Sequence, residues 1–273
     1  MKKLMFGMMA LAAGAAMAIE SANVVGYQNK TVASADDGGF TYLINPLQQV
    51  GVNLENQTLS AFNIPTDAGF MGSTSLTLEM YTKEGQYAGR YYFLDTGNAE
   101  FEGVQPGWYN ADVYDEEFTW ESANNAIIPF GAGVMIMSTD AEAKVTFAGE
   151  VVNEDKTFTI TSADEGGFTY CGNCSPVDLT LKDFAIPTDT GFMGSTSLTL
   201  EMYTKEGQYA GRYYFLDAGN AEFESVQPGW YNADVYDNDF IWESAGDVTV
   251  ESGRMFMIMS TDAESSITIP TAL

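Results

Sequence analysis

The stretch IPTDAGFMGSTSLTLEMYTKEGQYAGRYYFLD, residues 64–95, occurs again at residues 186–217 with a single change. The repeat extends beyond this stretch, since residues 64–123 and 186–245 differ at only six of 60 positions. Self-similarity over such a length indicates two copies of one structural unit. Each unit, of about 125 residues, is long enough to bury an ordinary hydrophobic core.

Within the repeated stretch, apolar and polar residues alternate with the period of a β-strand. Leu76, Leu78 and Met80 fall on one face of a first strand. We expect a tight turn at residues 82–85, after which Met80 pairs with Tyr87 on the returning strand. No segment beyond the N-terminal leader has a helical pattern, and further strands are predicted at residues 108–114, 133–137 and 144–147. The sequence therefore predicts an all-β protein, each copy being a small β-sandwich or barrel.

The chain begins with the features of a secretory signal peptide. Two lysines precede an apolar stretch, and an A-x-A cleavage motif ends at Ala18. We therefore expect residues 1–18 to be removed and the mature chain to contain two tandem domains, residues 19–150 and 151–273. No later segment is apolar over the roughly 20 residues that a membrane-spanning helix needs. The expected location is secreted, extracellular or on the cell surface, with the periplasm as an alternative.

The chain is strongly acidic, with a net charge of −27, which becomes −29 when Lys2 and Lys3 leave with the leader. Such a surface repels nucleic-acid phosphates and anionic lipids. We therefore expect no nucleic-acid partner. The expected partners are a polysaccharide or other envelope proteins.

The sequence offers no clear catalytic site. The chain has no histidine, which excludes Ser-His-Asp catalysis and the usual zinc sites. The densest carboxylate clusters, DVYDEEF at 112–118 and DVYDNDF at 234–240, differ at two acidic positions, as a solvated surface would. Calcium binding by Asp112 and Asp115 is the alternative that stays open. No enzyme activity, cofactor or metal site is predicted.

Two sets of residues are candidates for special roles. Cys171 and Cys174 enclose the turn dipeptide Gly-Asn in an exported chain, so we expect a local disulfide between them. The motif QPGWYNADVYD occurs in both copies and carries aromatic rings beside amide and carboxylate groups. These rings either stack on a sugar or fill the core, and the candidates for ligand contact are Trp108, Tyr109, Trp230 and Tyr231.

Several short motifs of the first copy resemble a family of uncharacterised, secreted, β-rich proteins of the Verrucomicrobia and Lentisphaerae group. They are SANVVGY (21–27), GFTYLINPLQQVG (39–51), a central GW, GAGVMIM (131–137) and VTFAGEVV (145–152). The second copy lacks the first motif and has SGRMFMIM in place of the Gly-x-Gly step. The resemblance implies a bacterial envelope or extracellular setting and offers no catalytic residues.

Together these observations predict a secreted or cell-surface, non-catalytic protein with a structural or adhesive role in the envelope. The alternative is a glycan-binding protein with two equivalent aromatic sites, one in each copy. Burial of the tryptophans favours the first hypothesis, and a shallow aromatic groove in both copies favours the second.

Overall fold

A computed structural model of the chain describes residues 25–34, 39–63, 76–82, 86–139, 143–162, 167–187, 198–204, 207–261 and 264–271. Strands account for 47% and helices for 18% of it, and the sheets form two similar halves. The predicted all-β class is therefore confirmed. The predicted signal peptide and most of the predicted turn at 82–85 lie outside the described residues.

The described part of the first half contains strands, two short α-helices and two 3₁₀ turns. Its elements are β1 (Val25–Val32), β2 (Thr41–Ile44), the 3₁₀ turns Leu54–Asn56 and Leu59–Ala61, β3 (Phe62–Asn63), β4 (Leu76–Tyr81), β5 (Tyr87–Leu94), α1 (Thr96–Glu102), β6 (Gly107–Asn110), α2 (Ala111–Glu117), β7 (Gly133–Ser138) and β8 (Ala143–Glu150).

The second half repeats this plan with small differences. Its elements are β9 (Lys156–Ile160), β10 (Thr169–Gly172), β11 (Leu179–Thr180), the 3₁₀ turn Leu181–Asp183, β12 (Leu198–Tyr203), β13 (Tyr209–Leu216), α3 (Ala218–Phe223), β14 (Gly229–Asn232), α4 (Ala233–Asp239), β15 (Thr249–Val250), β16 (Met255–Ser260) and β17 (Ser265–Ile269).

Each half is a two-layer sandwich. The larger layer is a five-stranded antiparallel sheet, in the order β2-β7-β4-β5-β6 in the first half and β10-β16-β12-β13-β14 in the second. The smaller layer is β1-β8-β3 in the first half and β9-β17 in the second. In the first half Leu76 and Leu78 of the large sheet pack with Val145 and Phe147 of the small one in one core. Among the described strands no sheet closes into a barrel, so the sandwich is the correct alternative.

The predicted hairpin register is wrong by two residues. Met80 pairs with Gly89, and Leu78 pairs with Tyr91, while Tyr87 lies opposite Tyr81. The pairing is irregular between Met80 and Tyr81, and Gly89 has a φ of 147°, which a residue with a side chain rarely adopts. Because side chains alternate with a period of two, the shift leaves Leu78 and Met80 on the core face as expected.

The short helices contradict the expectation of strands alone. The segment 108–114, predicted as one strand, is strand only to Asn110 and then becomes α2. The Asn110 side chain accepts hydrogen bonds from the backbone N–H groups of Asp112 and Val113 and so caps this helix. In the same way Asp95 caps α1. Helices of six or seven residues span less than two turns, so they carry no periodicity for sequence reading to detect.

The two halves contact each other through equivalent pairs of residues. The backbone of Leu43 bridges to that of Arg254, and the backbone of Cys171 bridges to that of Ala132. SADDGGFTY at 34–42 aligns with SADEGGFTY at 162–170, so Cys171 is the counterpart of Leu43. MIMSTDAE at 135–142 recurs at 257–264, so Arg254 is the counterpart of Ala132. The contact is therefore repeated about an approximate two-fold axis.

The two-fold axis passes close to Gly133 and its counterpart, Met255. A Cβ atom on Gly133 would lie 2.7 Å from the Met255 sulfur, so the side chain of one position fills the space left by the other. The contact is also apolar, since Ile44 and Phe130 of the first half pack within the hydrophobic core of the second half. The two cores are therefore in contact, and the domain boundary at residue 150 stays a prediction.

Candidate functional site

The four aromatic residues predicted to contact a ligand are buried. Trp108 and Trp230 are only 1% and 3% exposed, and Tyr109 and Tyr231 are 6% and 7% exposed. Trp108 points into the first core, with its ring centroid 5.3 Å from that of Phe93. Core packing, the alternative that the sequence left open, therefore describes all four side chains. Trp230 and Tyr231 in addition border an open cleft.

The acidic clusters at 112–118 and 234–240 hold helices against the sheet. Asp112, on α2, accepts hydrogen bonds from the Tyr87 hydroxyl at 2.6 and 2.8 Å. Asp115, one turn later, accepts hydrogen bonds from the Arg90 guanidinium and, at 3.2 Å, from the Tyr92 hydroxyl. Burial, followed by the hydrogen bond to Asp112, raises the pKa of Tyr87. The second half repeats these bonds with Asp234 and Asp237.

Asp112 and Asp115 are therefore already bound to protein donors, which gives them a structural role. Within the described ranges, no three acidic or cysteine side chains come together in a way that could hold a metal ion.

The C-terminal end of α2 exposes a phenylalanine in an unusual backbone conformation. Phe118 is 80% exposed and has φ 54° and ψ 34°, the left-handed region. This helix-ending position is usually glycine, because a Cβ atom is disfavoured there. Phe240 ends α4 in the same way, with φ 57° and 78% exposure. An exposed, strained aromatic side chain at the same place in both halves is the feature that sequence reading missed.

Each of these phenylalanines stands beside a fixed aromatic stack. Tyr114 and Trp120 stack with ring centroids 3.8 Å apart, and Phe118 contacts Tyr114 edge to face at 6.1 Å. The indole N–H of Trp120 donates to Glu102 at 3.0 Å, which ties the stack to the end of α1. The side chains that support Phe118 are therefore held by packing and by a hydrogen bond.

We call Tyr114, Phe118 and Trp120 the first aromatic end, and Tyr236, Phe240 and Trp242 the second aromatic end. The second end has the same stack at 3.8 Å and the same indole hydrogen bond, to Glu224 at 3.1 Å. It is the more apolar of the two, because Ile241, 58% exposed, replaces Thr119. The three rings of each end thus have nearly identical geometry, while the residues around them differ.

Cys171 and Cys174 are free thiols, so the predicted disulfide is wrong. The Gly172-Asn173 dipeptide does not turn the chain, because Gly172 continues β10 and the Asn173 N–H donates to the Arg254 carbonyl at 2.9 Å. Both cysteines are completely buried, and burial raises the pKa of both thiols, that of Cys174 to about 12. A redox site needs a lowered thiol pKa, so these cysteines are core residues.

Comparison with known proteins assigns no family: no family model, curated protein or solved structure matches the chain. In the part of the chain that the structure describes, none of the helices combines the length and apolar character needed to cross a bilayer. The candidate site therefore rests on its own geometry.

Proposed function

We propose that the chain is a non-catalytic, secreted or cell-surface protein with a structural or adhesive role in the envelope, and that it attaches through its two aromatic ends. The observation that carries the proposal is the left-handed, four-fifths exposed Phe118 together with its counterpart Phe240.

The energetics of this position favour a role in binding over one in folding. A left-handed conformation costs an ordinary residue about 1–2 kcal/mol, and glycine would end the helix without that cost. A phenylalanine left exposed also forgoes most of the roughly 1.5–3 kcal/mol that its burial would contribute. Strained residues and exposed apolar surface both tend to occur where proteins bind partners.

The internal comparison between the halves supports the same interpretation. Three of the six differences between 64–123 and 186–245 fall at positions 116, 117 and 119, immediately around Phe118. Phe118 itself is unchanged at position 240. Substitution has therefore been tolerated on both sides of the exposed ring and is absent at the ring.

Two equivalent ends on one chain provide bivalent attachment. Because the halves contact each other through shared core residues, the ends are held at a limited range of separations. Simultaneous binding by both ends strengthens attachment by factors of about 10² or more without any new contact. The acidic surface favours a neutral polysaccharide or a protein with a less acidic surface as the partner.

Variants at the exposed rings test the proposal. Binding of residues 19–273 is measured on surfaces coated with a neutral polysaccharide or with envelope proteins. We expect the double variant Phe118→Asn/Phe240→Asn, which tolerates the left-handed backbone, to lose at least about tenfold in retention, and each single variant to lose part of it. The matched control is Tyr27→Asn, at a 74% exposed ring on β1. Wild-type retention by the folded double variant would contradict the proposal.

Glycan binding at aromatic sites is the second candidate function. One observation favours it, and only in the second half, where Trp230 and Tyr231 border an open cleft.

A further inference from the structure

The second half contains a surface cleft with aromatic walls and a polar rim. Its volume is about 480 Å³, within the range of small-molecule sites. Its walls and rim include Phe184, Phe215, Trp230, Gln227, Lys182 and Asp247. The rim carries both charge signs, since Lys182 and Asp247 form an exposed ion pair at 2.5 Å.

In the first half the carboxamide of Asn124 fills the corresponding space. The Asn124 Oδ1 atom accepts a hydrogen bond from the backbone N–H of Trp108 at 2.9 Å. The same carboxamide lies against Gly107, where an added Cβ would be 2.9 Å from both its oxygen and its nitrogen. The first half therefore shows which chemical group fits this position, because it supplies that group from its own chain.

The second half has glycine, Gly246, at the position of Asn124. Nothing lies within 4 Å of where a Cβ on Gly229 would be, in contrast to its counterpart Gly107. Phe215 is half-buried, whereas its counterpart Phe93 is buried. The second half thus lacks the side chain that fills this space in the first half, while the aromatic residues Phe215 and Trp230 match Phe93 and Trp108.

The backbone N–H of Trp230, on β14, faces the space that corresponds to the Asn124 carboxamide of the first half. The Trp230 carbonyl accepts from Ala245, and the Asn232 N–H donates to Glu243, each at 2.8 Å. These residues therefore turn their backbone groups away from β13 and toward residues 243–246. The Trp230 N–H points the same way, to the place where Asn124 provides the acceptor in the first half.

We propose that this cleft binds the acetamido group of an N-acetylated amino sugar. The acetamido carbonyl accepts the Trp230 N–H, as the Asn124 carbonyl accepts the Trp108 N–H. The sugar ring lies against Phe215, whose ring centroid is 5.3 Å from that of Trp230 on the same face of the sheet, since apolar ring faces and aromatic walls are complementary. Its hydroxyl groups meet the polar rim formed by Gln227, Lys182 and Asp247. This site is independent of the aromatic ends and occurs once among the residues that the structure describes.

The test uses titration calorimetry and backbone-amide NMR on residues 19–273. The probes are N-acetylglucosamine, glucose and a Gly-Asn-Gly peptide. We expect N-acetylglucosamine to bind at one site, about tenfold or more tighter than glucose, which lacks the acetamido acceptor, and to shift the Trp230 amide signal. Equal binding of both sugars, or no binding, would overturn the proposal. Tighter binding of the peptide would assign the cleft to peptide amides and would also overturn it.

The chain supplies its own control variants. Gly246→Asn restores the side chain of the first half, and a Cβ there would meet only the Lys182 Cβ, at an acceptable 3.4 Å. We expect this variant to fold and to lose sugar binding by at least about tenfold. The reciprocal Asn124→Gly variant should open the first half and shift the Trp108 amide on titration. Unchanged binding by folded Gly246→Asn would refute the assignment even if the wild type binds the sugar.

Discussion

Two tyrosine stacks across the contact between the halves give a prediction that can be measured twice in one molecule. Tyr42 stacks on Tyr203 with ring centroids 4.7 Å apart and planes 15° apart. Tyr170 stacks on Tyr81 at 4.8 Å and 13°. Since Tyr170 is the counterpart of Tyr42, and Tyr81 that of Tyr203, the approximate two-fold axis relates the two stacks. Their contributions to stability should therefore be equal.

The size of each contribution follows from the geometry. Stacked aromatic pairs are worth about 0.5–1.5 kcal/mol beyond their buried area, so we expect a coupling free energy near 1 kcal/mol for each stack. Tyr203 and Tyr81 also donate hydrogen bonds to Glu201 and Glu79, each at 3.2 Å. Those bonds lie within one half, so a double-mutant cycle across the contact cancels them.

The assay is urea unfolding of the wild type, of the single Tyr→Leu variants and of the two double variants Tyr42→Leu/Tyr203→Leu and Tyr170→Leu/Tyr81→Leu. Tyr27→Leu combined with Tyr42→Leu is the control, because Tyr27 is exposed on β1 and the two effects should add. Coupling below about 0.3 kcal/mol in both cycles would refute the stacked contact. Coupling in one cycle only would refute the symmetry of the contact.

Two further predictions concern ionisation and the thiols. Burial, then the charges of Glu79 and Glu201, raises the pKa of Tyr81 and Tyr203 to about 12, against about 10 in the unfolded chain. The folded protein therefore keeps these protons to a higher pH than the unfolded chain does. We expect the urea concentration at the unfolding midpoint to decrease as the pH rises from about 10 to about 12 and to stay unchanged below pH 10. The decrease should be smaller in Tyr81→Phe/Tyr203→Phe. The two buried thiols should react with a thiol reagent only after the protein unfolds, and both should then react. A reductant should leave the melting temperature unchanged. A disulfide worth about 2 kcal/mol would instead make reduction lower it by about 4–8 °C.

The sequence predicts the strands well where their signal is local. Leu76, Leu78 and Met80 alternate, and they lie on the core face as expected. The pairing partner of Met80 was wrong because the register depends on an irregularity at Met80–Tyr81 and on the backbone of Gly89, neither of which alternation encodes. The alternation therefore predicts which face of the sheet a side chain lies on, but not which residue on the next strand it pairs with.

The candidate site was less predictable. An asparagine cap followed by an acidic residue at Asn110-Ala111-Asp112 is a helix-start signal that could have located α2. Nothing local marks Phe118, because the position after a helix is expected to be glycine and the exposure of its ring depends on how α2 packs. The disulfide prediction failed for a related reason, since Gly-Asn is a common turn dipeptide, but in the fold Gly172 pairs with Met255 and the Asn173 N–H donates to the Arg254 carbonyl.

The glycine facing methionine on the two-fold axis has a consequence for the symmetry of the chain. If the two halves were separate, identical subunits, the position equivalent to 133 and 255 would carry the same residue in both. A methionine on both sides would collide, because even a Cβ at position 133 comes within 2.7 Å of the Met255 sulfur, and a glycine on both sides would leave a gap. Within one chain the two positions can differ, so one can be small where the other is large. The Gly133–Met255 pair is therefore a departure from exact two-fold symmetry that a homodimer of identical subunits could not make.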